Sequence, residues 1–106
     1  MKIKPGVRLI GLTPQMVLAA IVVNDIFWSL SLECVITSCN DGKHSSQSLH
    51  YKGQAMDFRT HYPQLDGKEI WLRNKVKDAL GDDFDVVMEA IGTPNEHLHV
   101  EYDPKG

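Results

Sequence analysis

The chain has 106 residues, enough for one domain with a single modest core and too few for a second catalytic domain. It is 42% apolar and 24% charged, with eight Gly and five Pro, the composition of an ordinary globular protein. Eleven Lys and Arg stand against 14 Asp and Glu for a net charge of -3, which argues against non-specific nucleic-acid binding through overall basicity.

Met1-Lys2-Ile3-Lys4-Pro5-Gly6 is basic but leads into only a few apolar residues before Gly11, so no export signal is read there. Thr13-Pro14 starts a helix, with Thr as N-cap and Pro at the first helical position, where no amide donor is needed. Its apolar residues run through Val17, Leu18, Ala20, Ile21, Phe27 and Trp28 to about Leu32. The apolar part, Met16 to Val23, is cut by Asn24-Asp25, well short of the roughly 20 residues of a membrane span. A buried helix is expected instead, and Trp28 and Trp71 are expected in the core. Glu33 to Ser38 reads as a β-branched strand and residues 39–49 as a polar, turn-rich loop. A second strand is expected over Gln54–Arg59 and a helix over Lys68–Leu80, stopped by Gly81. Asp85–Ile91 and His97–Tyr102 complete the strands, joined by a turn at Gly92-Thr93-Pro94-Asn95. This order predicts a single α+β domain over residues 1–106, a small antiparallel sheet flanked by helices.

Alternation along two strands carries the chemistry. Ala55, Asp57 and Arg59 share one face of their strand, and Met56 and Phe58 the other. His97, His99 and Glu101 share one face of theirs, and Leu98, Val100 and Tyr102 the other. Histidine is unusual filler for a solvated strand. His50, Asp57, His97 and His99 together offer the imidazole and carboxylate donors that suit Zn²⁺, whose catalytic sites take three protein ligands. The spacing alone fits either such a site or a group of surface histidines. Pro94-Asn95 allows Glu96 to sit on the turn before the last strand and lean over a metal held by His99. Cys34 and Cys39 are too few for a thiolate zinc site or a disulfide scaffold and are read as thiols.

Ser48-Leu49-His50-Tyr51-Lys52-Gly53-Gln54-Ala55-Met56-Asp57 resembles the Ser-x-His-x-x-Gly-x-Ala-x-Asp motif of the M15 zinc peptidases, with all five fixed positions matched. Glu96-His97-Leu98-His99-Val100-Glu101 resembles the second motif of that family, an acid three residues before a histidine. The resemblance spans roughly residues 33 to 103. It implies the fold shared by D-alanyl-D-alanine peptidases and Hedgehog signalling domains. It also implies one Zn²⁺ per chain held by His50, Asp57 and His99, with Glu96 as general base and Ser48 as a hydrogen-bond partner behind the ligands. His97 is implied beside the substrate or oxyanion, although its place on the ligand face also fits a ligand or a surface histidine.

In one respect the sequence departs from the family. Members commonly carry an arginine after the Thr-Ser of the preceding strand, whereas Thr37-Ser38 is followed here by Cys39-Asn40-Asp41-Gly42-Lys43-His44. Lys43, His44 and Arg59 are the candidates for that role. The activity implied is hydrolysis of the stem peptide of bacterial peptidoglycan, as an L-alanyl-D-glutamate endopeptidase or a D-alanyl-D-alanine carboxypeptidase of the phage-lysin kind. A non-catalytic, Hedgehog-like zinc-binding module is the alternative. The expected protein is a monomer, made in the cytoplasm without a signal peptide and acting on the wall after release. Its partners would be peptidoglycan or its precursors, with no nucleic acid and no membrane span.

Overall fold

A computed structural model of the chain describes residues 1–39 and 54–104. The longer helix, α1 (Pro14–Ser29), begins where Thr13 Oγ1 accepts the Met16 amide, with Pro14 at its first position. It ends at Ser29, short of the expected Leu32, because the chain reverses through Ser31 at φ 58°. The Leu32 amide then returns to the Phe27 carbonyl at 2.9 Å. Helix α2 (Glu69–Leu80) stops at Gly81, whose φ of 88° is in the left-handed region that favours glycine.

Among the described residues, five strands form one sheet: β1 (Lys2–Ile3), β2 (Val35–Ser38), β3 (Ala55–Arg59), β4 (Phe84–Glu89) and β5 (His97–Tyr102), in the order β1-β2-β3-β5-β4. The sheet is mixed, which corrects the antiparallel expectation. β1 pairs in parallel with β2, and the intervening segment with α1 supplies the long crossover that parallel neighbours require. A two-residue strand is too short to show alternation, so the sequence gives no sign of it. The remaining pairings are antiparallel.

Met56, Phe58, Val86, Leu98 and Val100 form the oily face of the sheet. They join Met16, Val23 and Phe27 of α1 and Leu72 and Val76 of α2 in one core, so both helices lie on the same side. Cys34 and Cys39 are buried in this core. Trp28 and Trp71 are not: they are 81% and 48% exposed, because the apolar coverage of both helices is wider than the stripe that meets the sheet. Among the described residues, no helix is long and apolar enough to cross a membrane.

This division predicts opposite costs for two aromatic truncations. Phe58→Ala removes a fully buried ring and should destabilise the fold by about 3–5 kcal/mol in urea denaturation. Trp28→Ala should stay within about 0.5 kcal/mol of wild type, as exposed positions usually do.

Candidate metal centre and cleft

The face of the sheet away from the helices carries the ionisable residues, set in rows by strand register. Glu89, His97 and Arg59 lie side by side across β4, β5 and β3. In the next row Val87, His99 and Asp57 are paired, and Ser38 of β2 lies beyond Asp57. Asp85, Glu101 and Ala55 follow. A bulge at the end of β2, between Ile36 and Ser38, breaks the pairing next to Asp57. Thr37 and Ser38 both reach the cleft there.

Asp57 and His99, 42 positions apart in sequence, are therefore direct neighbours. His99 Nδ1 lies 2.8 Å from Asp57 Oδ1, and His99 Nε2 lies 2.6 Å from Glu101 Oε1. A neutral imidazole has one N–H and an ionised carboxylate has none, so both contacts are satisfied together only by an imidazolium or by a cation replacing one proton. In the metal-free protein the Asp57 hydrogen bond raises the His99 pKa to about 9. Burial opposes the rise, while the Glu101 hydrogen bond and the two carboxylate charges add to it. Asp57 and His99 supply two donors here, while the groupings of three that could hold a metal among the described residues are Asp57, Glu89 and His97, and Asp85, Glu101 and Asp103. His50, the third expected ligand, and Ser48, Lys43 and His44 lie outside the described residues.

His97 is held differently. Its Nδ1 is 2.9 Å from the Asn95 carbonyl oxygen, which can only accept, so Nδ1 carries the proton. Its Nε2 lies 2.9 Å from Glu89 Oε1 and 3.8 Å from Asp57 Oδ2. Burial pulls the His97 pKa down, but the Asn95 carbonyl, the Asp57 charge and Glu89 outweigh it, and the net direction is up. Asp57, Glu89 and His97 present donor atoms within 4.8 Å of one another, so His97 stands closer to a metal-capable grouping than an auxiliary role alone requires. The geometry makes Glu89, at the end of β4, a partner of His97.

Glu96 precedes β5 on the turn that follows β4. That turn is tight, with Ala90 at φ 55° and Gly92 at φ 81°. The Ala90 carbonyl accepts both the amide and the hydroxyl of Thr93, and the Glu96 amide donates to the Thr93 carbonyl at 3.0 Å. Glu96 is only 4% exposed, and its Oε1 accepts the Gly92 amide at 3.1 Å. Since Glu96 lies before the strand, strict alternation does not send it to the opposite face. It lines a cleft of about 250 Å³ together with Asp57, His97 and Arg59.

Lys4 lines the same cleft and was missed from the sequence. Only the β1–β2 pairing brings it there, through its amide on the Ile36 carbonyl at 2.9 Å. A larger cavity of about 550 Å³, between the end of α1 and the start of β2, includes none of these ionisable side chains. Burial pushes the Cys34 thiol up to about 12, which keeps it protonated and a poor metal ligand.

No protein-family model, curated protein or solved structure matches the chain.

The raised pKa of His99 fixes the sign of a pH dependence. Because the folded value, about 9, exceeds the usual unfolded value near 6.5, the pairing stabilises the metal-free fold fully below about pH 6.5. That contribution is lost as pH rises through about 9. Chelator-treated wild type should lose thermal stability over this range more steeply than His99→Gln, and equal slopes would contradict the assignment.

Proposed function

We propose that the chain is a zinc metallopeptidase of the M15 type, with the D-alanyl-D-alanine peptidase and Hedgehog-like fold, acting on the stem peptide of peptidoglycan. The observation that carries this reading is that Asp57, in hydrogen-bond contact with His99 across β3 and β5, lines one cleft with Glu96 from the turn before β5. The motif containing His50 supports it from the sequence. Asp57 and His99, with His50, would hold Zn²⁺. When bound, the ion supplies Lewis acidity toward the scissile carbonyl and toward water.

The chain's own residues supply the rest. Glu96 Oε1 accepts the Gly92 amide, and Oε2 would serve as the general base. It takes one proton from water as the water oxygen adds to the carbonyl carbon. When the C–N bond breaks, the same proton passes to the leaving amine. In its doubly protonated form, which the acceptors at both ring nitrogens favour, His97 beside the cleft can offer Nε2–H to the developing oxyanion. Lys4 and Arg59 place two positive charges at the cleft, suited to a substrate carboxylate such as that of D-glutamate or a terminal D-alanine. These two side chains take the place of the arginine that family members carry after the Thr-Ser stretch.

Turnover of purified peptidoglycan with and without chelator tests the activity, and mass spectrometry of fragments from defined muropeptides identifies the bond. Zinc binding without turnover would favour the non-catalytic module. The protein should bind one zinc per chain. Glu96→Gln should keep its zinc and lose about 10²–10⁴ in rate, the usual worth of a positioned acid–base group. His99→Ala should lose both zinc and activity. A zinc-free Glu96→Gln protein would make Glu96 a ligand instead. The double variant Cys34→Ser, Cys39→Ser should keep its zinc, measured as metal content after gel filtration.

A further inference from the structure

Glu101 has no part in the ligand set or the proton transfer above, yet its contact to His99 is shorter than that of Asp57. Its Oε1 lies 2.6 Å from His99 Nε2, on the side of the ring away from Asp57. The two residues are two apart on β5 and so share its polar face, the arrangement that lets one side chain reach along the strand to the other. Both are largely buried side chains, at 16% and 22% exposure, which makes the contact worth more than a surface pair. Donor atoms of Asp85, Glu101 and Asp103 lie within 4.8 Å of one another. This concentration of negative charge strengthens the pull on an N–H proton.

A histidine can bind a metal through either nitrogen, and the partner of the other nitrogen decides which. On the Asp57 side a cation satisfies both facing atoms. On the Glu101 side the second proton of the imidazolium can stay, because Glu101, unlike Asp57, is outside the expected ligand set. We propose that Glu101 is the positioning residue of the metal centre: it holds the proton on His99 Nε2 and so presents Nδ1 to the metal next to Asp57. This rests on the zinc reading, but it concerns a residue that the ligand motif does not include. Carboxylates behind ligating histidines fix the ring and raise its basicity, and their loss typically costs about 10–100-fold in metal affinity.

The test compares wild type, Glu101→Gln and Glu101→Ala in zinc affinity, by competition with a chromophoric chelator. Thermal melts establish that each variant folds. Glu101→Ala should bind zinc about 10–100-fold more weakly. Glu101→Gln keeps an acceptor oxygen and should recover part of the loss, a pattern that general loss of packing would not produce. Two-bond ¹H–¹⁵N spectra of the zinc-loaded wild type should show the His99 proton on Nε2. A proton on Nδ1, or equal affinity in Glu101→Ala, would overturn the proposal. In chelator-treated protein, the Nε2 proton should be protected from exchange in wild type and exposed in Glu101→Ala. Failure of that arm refutes the positioning role, whereas wild type that takes up no zinc refutes the zinc reading.

Discussion

The register between β3 and β5 is the constraint on which the rest depends. Pairing Asp57 with His99 simultaneously pairs Phe58 with Leu98 and Met56 with Val100, so one set of hydrogen bonds fixes both the site and the core. A slip of one residue would turn the carboxylate and imidazole toward the helices and the oily side chains toward water. Burial of the apolar face therefore enforces the geometry of the polar one. The free energy that aligns the functional residues comes from the opposite side of the sheet.

That arrangement also explains how a protein this small can carry a demanding cluster of charge. Asp57, Glu89 and Glu101 crowd the polar face, and each lies close to a histidine. Two carboxylates face the His99 ring from opposite sides, an arrangement costly for a neutral imidazole and well suited to a positive charge. The metal-free protein meets that demand by protonation. On the zinc reading proposed above, a metal would meet it by displacing one proton while Glu101 keeps the other.

The cleft is assembled from parts that the sheet alone would not align. The bulge in β2 brings Thr37 and Ser38 to its edge, and the left-handed turn after β4 tucks Glu96 beneath Gly92. A regular hairpin between β4 and β5 would carry Glu96 into the ladder, on the opposite face from His97. Backbone held in sparsely populated conformations next to reactive groups is a common way of aiming a side chain.

The two helices, four of the five strands and the division into oily and ionisable faces were legible in the sequence, because alternation and capping are local signals. Thr13-Pro14 and Gly81 marked helix ends, and His97–Tyr102 marked its strand without error. The expectation that Glu96 precedes that strand followed from Pro94-Asn95. What the sequence left open were relations between distant segments. Nothing local announces that Lys2–Ile3 joins β2 in parallel, so neither the mixed sheet nor Lys4 at the cleft was visible. Nor does periodicity show which part of a helix with such wide apolar coverage meets the sheet, and so Trp28, which faces out, was expected in the core. The partners of the histidines, Glu89 for His97 and Glu101 for His99, were settled by register and ring orientation. Local sequence can say which residues share a face, but only the packed sheet decides which of them touch.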